Sequence, residues 1–350
     1  MKTLKYSLLS VAIGALLATG PALVTSDANA AEVDGPKVRW KVNTWGKRRA
    51  FTEDLETLSK YVKDKTDGNF TIKVFYGDQL GGRKQNLDNV KAGVFEMAKV
   101  CWAYHPGKNQ SNTVLNLPFL PITNYDIQRK VYEAVYRHPI VGKELATKWG
   151  VFVFSSSQLP QYEFMGKGKP PTKLEDWNGM TVRALGGLAD AMRALGANNS
   201  TMTAPEVYQA IERGAVQAVS FPFSYAHAAF KTDEVADWYT LNLAPGSNDC
   251  PNIVSASAYE KLPAQYKKLM EEGRDLGYES LRKAYKAKDD ELIPKWRKTK
   301  TEIVYSDEEL AKFRKIAGQP VYDKWVADNK DKFDAASLLK FVMDTAAASK

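Results

Sequence analysis

The chain has 350 residues, of which 44% are hydrophobic and 26% charged, and it carries a net charge of +8. That composition belongs to a folded globular protein and excludes a disordered or collagen-like chain. The bases are interspersed with acids, as in Lys286-Ala287-Lys288-Asp289-Asp290, which describes a solvated helix face and excludes a nucleic-acid stripe.

Lys2 and Lys5 precede an apolar run over residues 8–17 that only Ser10 interrupts, and Ala28-Asn29-Ala30 fits the A-x-A pattern of a signal peptidase site. The run is too short for a permanent membrane span, so residues 1–30 read as a cleaved signal peptide and the chain as exported to the periplasm. Removing them leaves 320 residues with a net charge of +7, enough for two domains of about 100–200 residues each. No later segment reaches the roughly 18 apolar residues of a membrane helix, so the mature chain is expected to be soluble.

Val38, Trp40 and Val42 alternate with Lys37, Arg39 and Lys41, which predicts a strand over 37–45. Phe51, Leu55, Leu58 and Val62 then form one stripe of a helix, with Gly68 just past its end. A strand over 70–76 follows, then the loop Leu80-Gly81-Gly82 and a short helix with Leu87 and Val90 inward. Gly93 closes that helix, and a strand runs from about 95 to 104. Strand–helix–strand–helix–strand is the pattern of a parallel sheet wrapped by helices.

The same logic repeats further along. Residues 151–154 read as a buried strand and 180–185 as another, followed by Gly186-Gly187 and a helix with Leu188, Met192 and Leu195 inward. Thr203-Ala204-Pro205-Glu206 is a capping box opening a helix that buries Val207 and Ile211, and 216–221 is the next strand. The last quarter reads as helical, with a second capping box at Ser306-Asp307-Glu308-Glu309 and breaks at Pro294 and Gly318-Gln319-Pro320. The fold class is therefore α/β, two lobes joined by several crossings with a ligand cleft between them and a helical C-terminal wrap. Lobe I takes 31–153 plus about 245–275, and lobe II takes 154–244 plus about 276–350.

Cys101 and Cys250 permit one disulfide in an exported protein, with a buried free thiol at Cys101 as the alternative. The three histidines are scattered, and neither C-x-x-C nor H-E-x-x-H spacing occurs, so no metal or other cofactor is expected. Ser155, Ser156 and Ser157 lack a G-x-S-x-G turn, and Gly186-Gly187 is not G-x-G-x-x-G, so the chain does not read as an enzyme.

Leu80-Gly81-Gly82, Gly93, Leu117-Pro118-Phe119-Leu120 and Trp177-Asn178-Gly179-Met180-Thr181-Val182-Arg183 together resemble the C4-dicarboxylate-type substrate-binding proteins of tripartite ATP-independent periplasmic (TRAP) transporters. The resemblance implies two α/β domains closing on one ligand, often with a long helix spanning both. It also implies a membrane permease of a small and a large subunit as partner, and a monomer is expected. A periplasmic sensor feeding a signalling receptor would use the same fold.

The resemblance places the main ligand contact on Arg183, and the chemistry agrees, because a guanidinium presents a planar fork that grips a carboxylate. The helix N-terminus after Gly186-Gly187 should also favour an anion. Two positions depart from the family pattern. Residues 157–164 hold no arginine where relatives often have one, and Phe221 stands before Pro222 where many have asparagine. Those losses argue against a ligand with a second carboxylate. Trp45, Trp102, Tyr104, Tyr162, Phe221, Phe223 and Tyr225 lie at expected strand ends or loops and are the candidate cleft walls, with Phe164 beside Tyr162. The expected ligand is an aromatic or other apolar monocarboxylate, with a small 2-oxo or 2-hydroxy acid or a C4-dicarboxylate as the alternative. A cation beside the ligand stays open.

Overall fold

The structure, a computed structural model, describes residues 32–105 and 107–350. The expected signal peptide lies outside the described residues. Among these residues no helix is long and apolar enough to cross a membrane.

Eleven strands are described: β1 (Val38–Asn43), β2 (Phe70–Phe75), β3 (Met97–Lys99), β4 (Val151–Ser155), β5 (Tyr162–Gly166), β6 (Thr181–Arg183), β7 (Asn198–Ser200), β8 (Ala218–Pro222), β9 (Trp238–Thr240), β10 (Asn252–Ser255) and β11 (Thr301–Ile303). They form two sheets, ordered β2-β1-β3-β10-β4 and β11-β9-β5-β8-β6-β7. In the first sheet β1 pairs in parallel with both β2 and β3, as the strand–helix alternation requires. The return strand β10 pairs antiparallel with β3 and β4 and ties a late segment into the early sheet. In the second, β6 is parallel to β7 and β8, and β5 runs antiparallel to β8 and β9. Helices cover these sheets, and the chain is a two-lobed α/β protein.

The helical stripes fall where their periodicity puts them. Leu55, Leu58 and Val62 are buried on the helix Glu53–Lys65, and Leu87 and Val90 on Asn86–Lys91. At the first expected box the Glu206 carboxylate accepts from the Thr203 amide and hydroxyl, at 2.6 and 2.7 Å, while the Glu206 amide donates to the Thr203 carbonyl. The second expected box is half-formed in the other sense. Ser306 accepts from the Glu309 amide, but the Glu309 carboxylate accepts from the backbone of Leu174 instead (2.8 Å).

Four elements differ from expectation. The strand expected over 95–104 ends at Lys99, and Trp102–Tyr104 is a 3-10 turn. The residues from 151 form an edge strand whose Phe152 and Val153 are only half-buried, because β4 has β10 on one side alone. Tyr162 and Phe164 lie on β5 rather than in a loop. Pro294 does not break the C-terminal region, since one 34-residue helix runs Ala264–Arg297 through it. Proline there removes a single hydrogen bond within the last turn, and packing of Leu292 and Trp296 on either side holds the turn in place. Gly318, in contrast, does separate Asp307–Ala317 from Gln319–Asn329.

The long helix touches both sheets' layers. Gly273 and Gly277 let it lie against Glu53–Lys65, for a Cβ on Gly273 would fall 2.7 Å from Leu58 Cδ1. Further on, Trp296 packs against Tyr239 of β9 and Phe223 after β8. The core under the first sheet gathers Trp40, Val42, Leu55, Ile72 and Met270.

Candidate functional site

The carboxyl ends of β1, β3, β6 and β8 converge on one narrow cavity of about 30 Å³. From the first sheet's side come Trp45 and Arg49 after β1, Phe51 on the turn that follows, and Tyr104 after β3. From the second come Tyr162 at the start of β5, Arg183 at the end of β6, Phe221 at the end of β8, then Tyr225 and Phe230. The pairing of Tyr162 with Pro222 explains why an antiparallel strand contributes its first residue to the same rim.

Arg183 is 1% exposed. Its Nε and Nη2 both donate to the Met202 carbonyl, at 3.2 and 2.9 Å, and Nη1 donates to the Ser220 carbonyl at 2.8 Å. The Phe221 ring lies 4.8 Å from its guanidinium carbon. Burial pushes its pKa below the ordinary arginine value, with the Tyr104 and Tyr162 phenols opposing that shift. Backbone carbonyls thus orient the guanidinium, yet among the described residues no carboxylate pairs with it. One N–H on each of Nη1 and Nη2 is left over, with the Tyr104 phenol beside the guanidinium.

The walls are aromatic. Trp45 packs on Phe51 at 5.3 Å and on Tyr104 at 5.5 Å between ring centroids. Phe221 stacks on Phe230 at 5.3 Å, and Tyr225 on Tyr285 at 5.0 Å. The Tyr104 hydroxyl accepts from the Ala204 amide at 2.9 Å and so ties the first sheet's side to the second's. Burial raises the Tyr162 and Tyr225 phenols well above their ordinary range, so both are neutral donors at any ordinary pH. Rings and hydroxyls of this kind form flat apolar walls with polar tips.

Six of the eight candidate residues therefore come together: Arg183, Trp45, Tyr104, Tyr162, Phe221 and Tyr225. Trp102 and Phe223 are placed elsewhere. Trp102 is buried behind the wall, donating from Nε1 to Asp249 at 3.0 Å, because the 3-10 turn rotates it away from Tyr104. Phe223 points the other way from Phe221, into a cluster with Tyr239 and Trp296. The helix N-terminus at Gly186 is also not part of the lining. Asn116 and Asn248 cover it, and a Cβ on Gly186 would lie 3.1 and 3.0 Å from their atoms.

Several contributors were not legible as site residues. Phe51 belongs to a helical stripe and reads as core. Cys101 and Cys250 both line the cavity and are joined in a disulfide across 149 residues of sequence. Arg49 is the most consequential. It follows β1 directly, in the run Trp45-Gly46-Lys47-Arg48-Arg49, and the signal was available: a basic run at the carboxyl end of the first strand. Its guanidinium carbon lies 4.8 Å from the Phe51 ring and 5.3 Å from Phe230. The absence of arginine from 157–164 thus does not leave the site with a single cation.

Among the described residues no cluster of histidine, cysteine, aspartate or glutamate could hold a metal ion. The cavity offers buried cations, neutral phenols and rings, a set whose chemistry suits an anion.

Comparison with known proteins identifies the family and the fold. The model of bacterial extracellular solute-binding protein family 7 (DctP) matches residues 42–329. The monocarboxylate 2-oxoacid-binding periplasmic protein all3028 of Nostoc sp. is 24% identical over 318 residues, covering 85% of this chain and 86% of that protein. A TRAP solute-binding protein specific for aromatic acid ligands, from a marine metagenome, was solved with 3-hydroxybenzoate. It superposes with a TM-score of 0.76 at 21% identity, covering 90% of this chain and 100% of that one. A TRAP solute-binding protein of Rhodoferax ferrireducens T118, solved with copurified benzoate, gives 0.76 at 19% identity over 89% and 98%. The chain belongs to bacterial extracellular solute-binding protein family 7, the DctP family of TRAP-transporter binding proteins, and is a transport component rather than an enzyme.

Proposed function

We propose that this protein captures an organic acid with an aromatic or otherwise apolar body outside the cytoplasmic membrane and delivers it to a TRAP-type permease. The observation that carries the reading is the buried Arg183, fixed by two backbone carbonyls, unpaired with any carboxylate among the described residues, and facing a cavity walled by rings. A carboxylate meeting the left-over N–H groups of Arg183 gains charge-assisted hydrogen bonds. The ring or apolar body then packs against Trp45, Phe221 and Tyr225. Solved relatives that hold 3-hydroxybenzoate and benzoate support this class.

Lobe I, residues 31–153 plus about 245–275, and lobe II, 154–244 plus about 276–350, close over the acid about their crossing strands. The membership of the two sheets supports that division. Closure is driven only by contacts that improve in the closed state, and the Arg183–carboxylate pair is such a contact. Signal-peptide cleavage after Ala30 and a monomeric state complete the proposal.

A small 2-oxo acid is the second reading, favoured by the Nostoc relative. A thermal-shift screen of the mature protein separates the two. It compares aromatic monocarboxylates, small 2-oxo and 2-hydroxy acids, C4-dicarboxylates and sugar acids, because a ligand that binds only the native state raises its melting temperature. Stabilisation by the aromatic group supports the reading. Stabilisation by sugar acids, with none from aromatic acids, would refute it.

A further inference from the structure

Arg49 faces the same cavity as Arg183. Its Nη1 donates to the carbonyls of Trp45 and Lys47, each at 2.8 Å. Its Nε is buried without a partner, and Nη2 makes no hydrogen bond among the described residues. The Nε–Nη2 edge is one of the two on which a guanidinium grips a carboxylate with parallel bonds. On Arg183 that edge is filled by Met202. The rings of Trp45, Phe51 and Phe230 surround the Arg49 head and hold it in place.

Charge then decides what the cavity takes. Two guanidiniums line it, and no aspartate or glutamate does among the described residues. Burial pushes Arg49, like Arg183, below its ordinary value, with the phenols of Tyr225 and Tyr104 opposing. A ligand with one carboxylate leaves one of these buried cations without a counter-charge, which is costly. A ligand with two carboxylates held apart by a ring pairs both and keeps its flat body against the aromatic walls.

We propose that Arg49 is a second acid-gripping, specificity-determining residue, and that the preferred ligand is an aromatic diacid. The proposal rests on the reading of Arg183 as the first carboxylate contact. Calorimetric titration of the mature protein with benzoate, 3-hydroxybenzoate, isophthalate and terephthalate tests it, alongside Arg49→Gln and Arg183→Gln. At least one diacid should bind wild type roughly 10-fold or more tighter than benzoate, the worth of one further charge-assisted pair. Arg49→Gln should weaken the preferred diacid at least roughly 10-fold more than it changes benzoate, so that the diacid preference disappears. A cooperative melting transition of the unliganded variant reports that it is folded. Should Arg49→Gln fail to fold, Arg49→Lys replaces it. That variant keeps the charge and loses the fork, and should narrow the diacid preference.

Benzoate binding wild type as tightly as both diacids would overturn the proposal and leave the Arg183 reading standing. Equal loss of benzoate and diacid in a folded Arg49→Gln would also overturn it, because both arginines would then hold one carboxylate. No response of wild type to any of the four acids would instead remove the aromatic-acid reading on which it rests.

Discussion

Two buried cations share the ring of Phe51, and the protein treats them differently. The Lys99 ammonium lies 4.3 Å from that ring and donates to Asp54 at 2.9 Å and to Ser157 at 2.8 Å. Asn252 donates to the same Asp54 oxygen. Burial lowers the Lys99 pKa and Asp54 opposes the shift, so the pair is neutralised within the fold. Arg49, on the cavity side, has rings and carbonyls around it but no acid, and Arg183 across the cavity is in the same position. The Lys99 charge is balanced inside the chain, whereas on the proposed reading the two arginines are where a ligand's carboxylate would pair.

The comparison breaks most visibly at Asp54. Asp54→Ala strands Lys99 as an unpaired buried charge and should cost about 3–5 kcal/mol of stability, read as a lowered melting temperature. A Lys99→Met, Asp54→Leu double variant should recover most of that loss, and an Asp54→Ala protein as stable as wild type would contradict the structural role.

A second contrast lies in the buried acids. Burial raises the Asp249 pKa to about 7, against donors Tyr136 and Trp102, and raises Glu163 to about 7 against Thr240 and the amides of Leu243 and Ala244. The folded state therefore holds protons that the unfolded chain releases near pH 4, and stability falls as pH rises from about 4 to about 7. Asp249→Asn should flatten part of that slope, an effect of a few kcal/mol at most, visible in melting temperatures across that range. A slope unchanged in both Asp249→Asn and Glu163→Gln would assign it to other groups.

The wall ring on Arg183 has a smaller effect. Phe221→Leu removes the contact at 4.8 Å and should weaken aromatic acids by about 1 kcal/mol, with little change for a non-aromatic acid of similar size. The smallest effect is expected from Arg183→Gln without ligand. Losing an unpaired buried charge offsets the freed carbonyls of Met202 and Ser220, so melting should shift by no more than about 1 kcal/mol in equivalent stability.

Much of the fold was legible because both its periodicities are written locally. The stripe Leu55, Leu58, Val62 and the alternation of Val38, Trp40 and Val42 need no tertiary information. What was not legible depends on long-range pairing. The β10 strand, Asn252–Ser255, reads as nothing by itself and is a strand because β3 and β4 flank it. Pro294 signals a break that the packing of Leu292 and Trp296 overrides. At the site, Arg183 was legible from its strand and motif, and Tyr104, Tyr162, Phe221 and Tyr225 from their places at element ends. Trp102 and Phe223 lie off the cavity lining, because a 3-10 turn and a strand exit orient side chains in ways that spacing does not encode. Arg49 follows a strand end, but it stands two residues before Phe51, whose helical stripe marks the segment as core.

The most direct test of the account is the affinity of benzoate for wild type and for Arg183→Gln, measured by titration calorimetry on proteins shown to melt alike. The account predicts binding to wild type and a loss of about 2–5 kcal/mol in the variant, with unliganded stability preserved. Equal affinity in the two proteins would contradict it, because the carboxylate would then be held by something other than the cation the fold leaves unpaired.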